Sequence, residues 1–214
     1  MKTKILFIRH GESEANQLGF WGGRVDVSLT ETGKNQAEMV AKFVTENYAV
    51  DEVYSSTLQR ALQTAAPISR ILGKKTIEDK RLCEIYGGIF DGMKYEQIKQ
   101  DYPEVFSVWN ENMSKVALPN GENVFEVQKR GFEAIEEICK NNFGKTVVIV
   151  THRVILRTIQ CLWENKPLSR INECEWADNS SVSEVDYENG KLYPVIINQI
   201  GFLGNNAKKM NSIM

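Results

Sequence analysis

The sequence of 214 residues is long enough to bury one sizeable hydrophobic core, and a single α/β domain of this length is common. Its formal net charge of -2 gives no general attraction to nucleic acid or to an anionic membrane, so neither is expected as a partner. No apolar run approaches the roughly 18 residues of a membrane span, and the first residues lack a secretory signal pattern. We therefore expect a cytoplasmic protein.

The cysteines, of which there are four, form no CxxC pair, and we interpret them as reduced thiols in the core. Neither an internal repeat nor a low-complexity linker divides the chain. The expected organisation is one domain over residues 1–204, followed by a polar C-terminal tail over residues 205–214.

The first third of the chain alternates short apolar runs with helical patterns. Residues 5–8 are all apolar and predict a buried strand that ends at Arg9. Thr30 has the character of a helix N-cap, because apolar residues follow it at helical spacing. Residues 53–55 predict a second strand, and the hydroxyl residues 56–57 are expected to cap the next helix.

The middle of the chain, residues 80–119, is less regular and rich in turn signals. Asn123 then begins an amphipathic helical pattern with apolar residues at three- and four-residue steps. Residues 147–150 form the most hydrophobic run of the chain, and this predicted strand leads into Thr151 and His152. A further helix is expected after His152.

Near the C-terminus, residues 181–187 and 191–197 alternate polar and apolar side chains. The Asn189-Gly190 pair between them is a strong hairpin signal. Because the preceding strands alternate with helices, the predicted fold is α/β, with a mostly parallel central sheet flanked by helices in a three-layer sandwich.

The chain has only two histidines, and both follow a predicted strand. His10 comes after Arg9, and His152 comes after Thr151. Sites in such sheets form beyond the carboxyl ends of the strands, so both histidines fall where a site is expected. A lone histidine is more often a surface residue or a satisfied core group, but that interpretation is less apt for two histidines at two strand ends.

A metal site needs three or four ligands, and the sequence contains no HxH, HExxH or Cys/His cluster. No metal or other cofactor is therefore expected.

Phosphoryl transfer is the third interpretation of the two histidines, after a structural role and a metal site. A neutral imidazole is a suitable nucleophile for a dianionic phosphate, and guanidinium groups hold the charge of the phosphate oxygens during transfer.

The stretch over residues 6–16, with Arg9-His10-Gly11-Glu12 and Asn16, resembles the signature of the histidine phosphatase (phosphoglycerate mutase-like) superfamily. Further blocks follow in the family's order, at residues 26–33, 55–65, 82–92, 119–130 and 150–152. The resemblance spans residues 4–187, and it implies the phosphoglycerate mutase-like fold.

The resemblance also implies the roles of the site residues. His10 would accept the phosphoryl group as a phosphohistidine, and Glu84 would donate a proton to the leaving group and later take one from water. The phosphate would be bound by Arg9, Asn16, Arg60 and His152. The implied activity is that of a metal-independent phosphoric monoester hydrolase of the histidine acid phosphatase type, acting on phosphorylated small molecules without a cofactor.

One departure from the family pattern is Arg153, which stands where a small residue usually follows the second histidine. We expect its guanidinium to reach the rim of the pocket and to contact a second anionic group of the substrate; the alternative is that it points outward. Arg24, beside Gly22 and Gly23, is a further candidate for substrate binding, with a solvated surface arginine as the alternative.

Two other functions remain open from the sequence. A cofactor-dependent phosphoglycerate mutase is the first, but such enzymes carry a longer insertion with paired arginines, and the interval from Glu84 to His152 contains only Arg130. A non-catalytic binding member of the superfamily is the second, but such proteins typically lose a catalytic histidine or arginine. The natural substrate and a homodimer are likewise left open.

Overall fold

The computed structural model describes residues 2–207, so Met1 and most of the predicted tail, residues 208–214, lie outside the described residues. A six-stranded sheet with the order β3-β2-β4-β1-β5-β6 forms its centre. The strands are β1 (Thr3–Arg9), β2 (Glu52–Ser55), β3 (Thr76–Glu78), β4 (Thr146–Thr151), β5 (Val182–Glu188) and β6 (Lys191–Gln199).

Strands β1 to β4 run parallel to one another, whereas β5 pairs antiparallel with both β1 and β6. In the central pair, Arg9 of β1 is in register with Thr151 of β4. The two strands therefore end at the same level, and the residues that follow them emerge side by side.

Helices cover both faces of the sheet. They are α1 (Glu14–Leu18), α2 (Glu31–Asn47), α3 (Gln59–Leu72), α4 (Tyr95–Asp101), α5 (Pro103–Asn112), α6 (Val124–Asn141) and α7 (Arg153–Trp163). None of the helices within residues 2–207 combines the length and the apolar character that a membrane span needs.

The core has two parts because strand side chains alternate between the faces of the sheet. Leu6 and Ile8 of β1 pack with α2 and α3 on one face. Ile5 and Phe7 pack on the other face with α6 and α7. Burial on both faces explains why β1 and β4 are almost continuously apolar, and it confirms the predicted three-layer α/β architecture.

Two predicted helix starts are confirmed by their caps. The Thr30 hydroxyl accepts a hydrogen bond from the backbone N–H of Gly33, and Asn123 caps α6 through its side chain. The start of α3 differs from the prediction at residues 56–57. Its N-cap is Leu58, whose apolar side chain cannot cap the helix, and the Ser56 hydroxyl accepts from Leu58 N–H just before the first turn.

The C-terminal hairpin forms as predicted, with Asn189 and Gly190 at φ of 51° and 78° in the turn between β5 and β6. Two successive positive φ angles are the geometry that favours an Asn-Gly pair. The hairpin adds the antiparallel edge to an otherwise parallel sheet.

Candidate active site

The two histidines meet at the carboxyl ends of β1 and β4. Because Arg9 and Thr151 are in register, His10 and His152 each follow their strand by one residue, and their ring centroids lie 5.1 Å apart. The prediction that the histidines share one edge of the sheet is confirmed by this geometry.

His10 is almost fully buried, and its Nδ1 lies 2.7 Å from the carbonyl oxygen of Gly11. A carbonyl oxygen only accepts, so this contact assigns the ring proton to Nδ1 and leaves the lone pair on Nε2. Burial lowers the pKa of His10 well below 6.5, and the positive charges of Arg60 and Arg9 lower it further. The ring is thus neutral at physiological pH.

His152 has no solvent exposure and is the N-cap residue of α7. Its Nε2 lies 2.7 Å from the Ser56 hydroxyl oxygen, whereas its buried Nδ1 has no hydrogen-bond partner within residues 2–207. Burial lowers the pKa of His152 as well, with the charge of Arg60 the next contribution. This second imidazole is therefore also neutral.

Two buried arginines flank the histidines. Arg9 donates from Nη1 to the Ala177 carbonyl at 2.6 Å. Arg60 donates to the carbonyls of Val25 and Gly23, at 2.9 and 2.7 Å, and thereby holds the loop between α1 and α2 against α3. Burial lowers the pKa of both guanidinium groups, because a charged group is costly to remove from water.

Asn16 lies in the cavity wall with its amide oriented by three donors. Its Oδ1 accepts from the backbone N–H and the hydroxyl of Ser13, both at 3.1 Å, and from Asn179 Nδ2 at 3.2 Å. With its oxygen occupied in this way, the side chain offers its NH₂ group as a neutral donor.

Glu84 is almost fully buried at the N-terminus of α7. Its Oε1 accepts from Ile85 N–H at 2.9 Å and from Val154 N–H at 3.1 Å, and its Oε2 lies 3.2 Å from the same Val154 nitrogen. These backbone donors fix the carboxyl group in one orientation beside the cavity.

About 560 Å³ of empty space, including open solvent at its mouth, lies between these groups. Its walls include the predicted residues Arg9, His10, Asn16, Gly22, Gly23, Arg60, Glu84 and Arg153, together with aromatic side chains such as Trp21, Tyr95, Trp109 and Trp176. Gly23 has a φ of 36°, and a Cβ there would lie 1.7 Å from Asp91 Oδ1, so this loop needs glycine.

Two predicted residues are not among those that line the cavity. His152 is one of them, although its ring centroid lies 5.1 Å from that of His10, which does line the cavity. Arg24 instead donates from Nη2 to Glu122 at 3.3 Å, and its backbone N–H donates to Asp91 at 2.8 Å. The structure thus does not bring the Arg24 side chain into the cavity wall, because an acidic partner far along the chain holds it.

Arg153 does reach the cavity, and its guanidinium stacks on Trp176 with 3.7 Å between Cζ and the ring centroid. The Cζ of Arg157, one helical turn further along, lies at the same distance from this ring. Two guanidinium groups cannot share one face at that distance, so Trp176 lies between them.

Several residues of the site carried no signal in the sequence. Asn179 donates to the His10 carbonyl at 2.9 Å as well as to Asn16, and Ser56 fixes His152. Asn179 and Trp176 come from the segment before β5, which has no motif of its own. Ser56 belongs to the block at residues 55–65 and is a candidate helix cap, but the sequence does not predict its contact with His152.

Within residues 2–207, no three His, Cys, Asp or Glu side chains converge in a way that could hold a metal ion. The charged groups at the cavity that could bind an anion are therefore the guanidinium groups of Arg9, Arg60 and Arg153.

Comparison with known proteins gives consistent matches over most of the chain. The family model of the histidine phosphatase superfamily (branch 1) matches residues 5–200. Phosphoserine phosphatase 1 of Hydrogenobacter thermophilus is 34% identical over 189 residues, which are 87% of this chain and 87% of that protein.

Solved structures match equally well. YhfR of Bacillus stearothermophilus superimposes with a TM-score of 0.90 at 29% identity, covering 94% of this chain and 99% of that chain. A mutant phosphoserine phosphatase from Entamoeba histolytica, in complex with phosphoserine, superimposes with a TM-score of 0.78 at 27% identity, covering 94% and 99%. These matches confirm the predicted fold class.

Proposed function

The chain belongs to the histidine phosphatase superfamily, and from this premise we propose that it hydrolyses phosphate monoesters of small molecules through a phosphohistidine on His10. The observation that carries the proposal is the state of His10. It is a neutral imidazole with its lone pair on Nε2, held between buried guanidinium groups that attract a phosphate.

In the first step, Nε2 of His10 attacks phosphorus and forms the P–N bond while the ester P–O bond breaks. Arg9 and Arg60 hold the phosphate oxygens and offset their charge. The NH₂ of Asn16 and the ring of His152 add donors. Nδ1 of His152 is buried without a partner within residues 2–207, so it is the ring nitrogen that serves a phosphate oxygen when it carries the proton.

Glu84 completes the proton balance. It gives its proton to the ester oxygen as the alcohol leaves, and then takes a proton from a water molecule. The oxygen of that water attacks phosphorus, the P–N bond to His10 breaks, and inorganic phosphate is released. Both half-reactions use the same cavity, which the Glu84 carboxyl lines together with His10.

A mutase function is less well supported, because a mutase must also hold a second phosphate. Arg130, the arginine between Glu84 and His152, has its guanidinium committed elsewhere. It donates to Glu122 and to the carbonyls of Arg81, Cys83 and Glu84. Arg130 therefore holds neighbouring segments of the chain together and is not available to bind a second phosphate. Phosphatase is accordingly the better assignment.

The test is phosphate release by the purified protein from a panel of phosphate monoesters, with para-nitrophenyl phosphate as a general substrate. Phosphoserine is the first natural candidate, because relatives that match most of the chain are named as phosphoserine phosphatases. We expect turnover that His10→Ala abolishes. Tight phosphate binding without turnover of any ester would instead support a binding protein.

A further inference from the structure

Among the arginines at and around the cavity, Arg153 stands out because it has no acceptor among residues 2–207. Arg60, Arg130 and Arg157 donate to backbone carbonyls, and Arg24 pairs with Glu122. For Arg153 there is no hydrogen bond or ion pair within the described part of the chain, and its Nε and Nη2 are buried without partners. Such unpaired donors are costly in a folded protein, so this guanidinium calls for an explanation.

From this geometry we propose that Arg153 forms a second anion site, which binds a carboxylate group of the substrate beside the phosphate. The proposal rests on the phosphatase function and names its substrate class: short phosphate monoesters that carry a carboxylate. Arg153 is thus a specificity-determining residue for that reaction.

The site is built before any ligand arrives. Trp176 holds the flat face of the Arg153 guanidinium, and Arg157 supports the opposite face of the indole. Arg157 is itself fixed by hydrogen bonds to the carbonyls of Cys174, at 3.0 Å, and Asn172, at 2.9 Å. Stacking leaves the edge of the guanidinium, where its N–H groups point, for an anion.

The charge balance favours a carboxylate over a second phosphate. In the proposed reaction Arg9 and Arg60 offset the phosphate dianion, and the single positive charge of Arg153, which the carboxylates of Glu84 and Asp178 also attract, suits a monoanion. A carboxylate also matches the planar fork of a guanidinium with two parallel hydrogen bonds. A second dianion would exceed the charge available and would repel the first phosphate.

The two anions must lie close together. The charge of Arg153 contributes to the lowered pKa of Arg9, after the larger effect of burial, so the two guanidinium groups lie within Coulomb range of each other. Arg9 and Arg153 also line the same cavity, so one small ligand can contact both of them. A carboxylate a few bonds from the ester oxygen meets both conditions.

The test compares O-phosphoserine with O-phosphoethanolamine, which lacks the carboxylate and is otherwise the same. We expect wild-type kcat/KM to favour phosphoserine by about ten- to a hundredfold, the effect of one charge-assisted hydrogen-bonding group. In Arg153→Ala this ratio should fall toward one. Arg153→Lys keeps the positive charge but loses the planar guanidinium, so its ratio of kcat/KM values should be intermediate. This variant replaces Arg153→Ala in the test if the alanine variant does not fold.

The control variant is Arg170→Ala, which removes an exposed arginine that pairs with Glu173. Its substrate ratio should equal that of the wild type. A wild-type ratio near one, or a ratio unchanged in both Arg153 variants, overturns the carboxylate site while phosphatase activity stands. No hydrolysis of either ester or of para-nitrophenyl phosphate by the wild type overturns the proposed function instead, and this proposal with it.

Discussion

Nδ1 of His10 and the carbonyl oxygen of its neighbour Gly11 lie 2.7 Å apart, and this contact decides which ring nitrogen is available for chemistry. It also holds the imidazole in a fixed orientation in the cavity. The proposed nucleophile is thus oriented by a backbone carbonyl of the adjacent residue.

The first prediction is a covalent phosphoenzyme. Brief incubation with a ³²P-labelled ester, followed by quenching, should leave protein-bound label that is labile to acid and stable to base, as expected of a phosphoramidate. His10→Ala should lose both label and turnover, whereas Arg170→Ala should keep both. Turnover near the wild-type rate in His10→Ala would show that another group is the nucleophile.

The second prediction concerns the protonation of the histidines. Burial and the nearby arginines lower the pKa of both rings well below 6.5, so neither should titrate between about pH 8 and about pH 6. NMR of untagged protein can follow this directly, because the chain contains only two histidines. A titration midpoint near pH 6.5 for His10 would contradict the proposal that this ring is buried and neutral.

The same shifts have a consequence for stability. In the unfolded chain the two histidines take up protons near pH 6.5, but in the folded chain they do not. The unfolded state therefore binds more protons below that pH, and the free energy of unfolding decreases as the pH falls from about 6.5 toward the folded pKa values. The slope is at most about 1.4 kcal/mol per pH unit for each histidine.

The third prediction separates a proton-transfer role of Glu84 from a structural one. Glu84→Gln removes the transferable proton, so it should slow esters with poor alkoxide leaving groups by about 10²–10⁴-fold. Para-nitrophenyl phosphate should lose much less, because its leaving group needs little protonation. Glu78→Gln, at an exposed position of β3, is the matched control. Equal loss for both ester types would assign Glu84 to binding or support.

The sequence was sufficient to predict the pairing of the histidines, because each follows an apolar strand and parallel strands end at one edge of the sheet. The fate of Arg24 could not be predicted in this way. Its acceptor, Glu122, is 98 residues away in the chain, and only the folded loop brings the two together. The same holds for Trp176, whose role depends on two arginines of α7.

The sequence pattern at the start of α3 was also ambiguous, because a serine side chain can either cap a helix or bind a buried polar group. Ser56 has the residue type of a helix cap, but tertiary contacts place its hydroxyl 2.7 Å from His152 and 3.3 Å from the Cys83 sulfur. The N-cap of α3 is Leu58, two residues further along the chain. Cap preferences describe isolated helix ends, and a buried partner outweighs them here.

The fourth prediction is that catalysis does not need a metal. The positive charge at the cavity comes from arginines, and no metal-binding cluster occurs within residues 2–207. Phosphate release should therefore be unchanged after dialysis against EDTA. Loss of activity on chelation, with recovery when a divalent ion is added back, would contradict this prediction and the arginine-based charge compensation.

The last prediction concerns Gly11 and the packing beneath the nucleophile. A Cβ added at Gly11 would lie 2.6 Å from the carbonyl oxygen of Gly33, and backbone in the first turn of α2 cannot easily yield. Gly11→Ala should therefore destabilise the fold by about 1–3 kcal/mol, as overpacking does. For a chain of this size, the melting temperature should fall by about 2–4 °C per kcal/mol.

Gly201→Ala is the control, because a Cβ there meets no atom within 4 Å. That substitution should leave the melting temperature unchanged or raise it slightly, since alanine restricts the unfolded chain. Thermal unfolding of both variants beside the wild type measures the difference. If the two variants melted together, the close contact between Gly11 and Gly33 would not constrain the loop that carries His10.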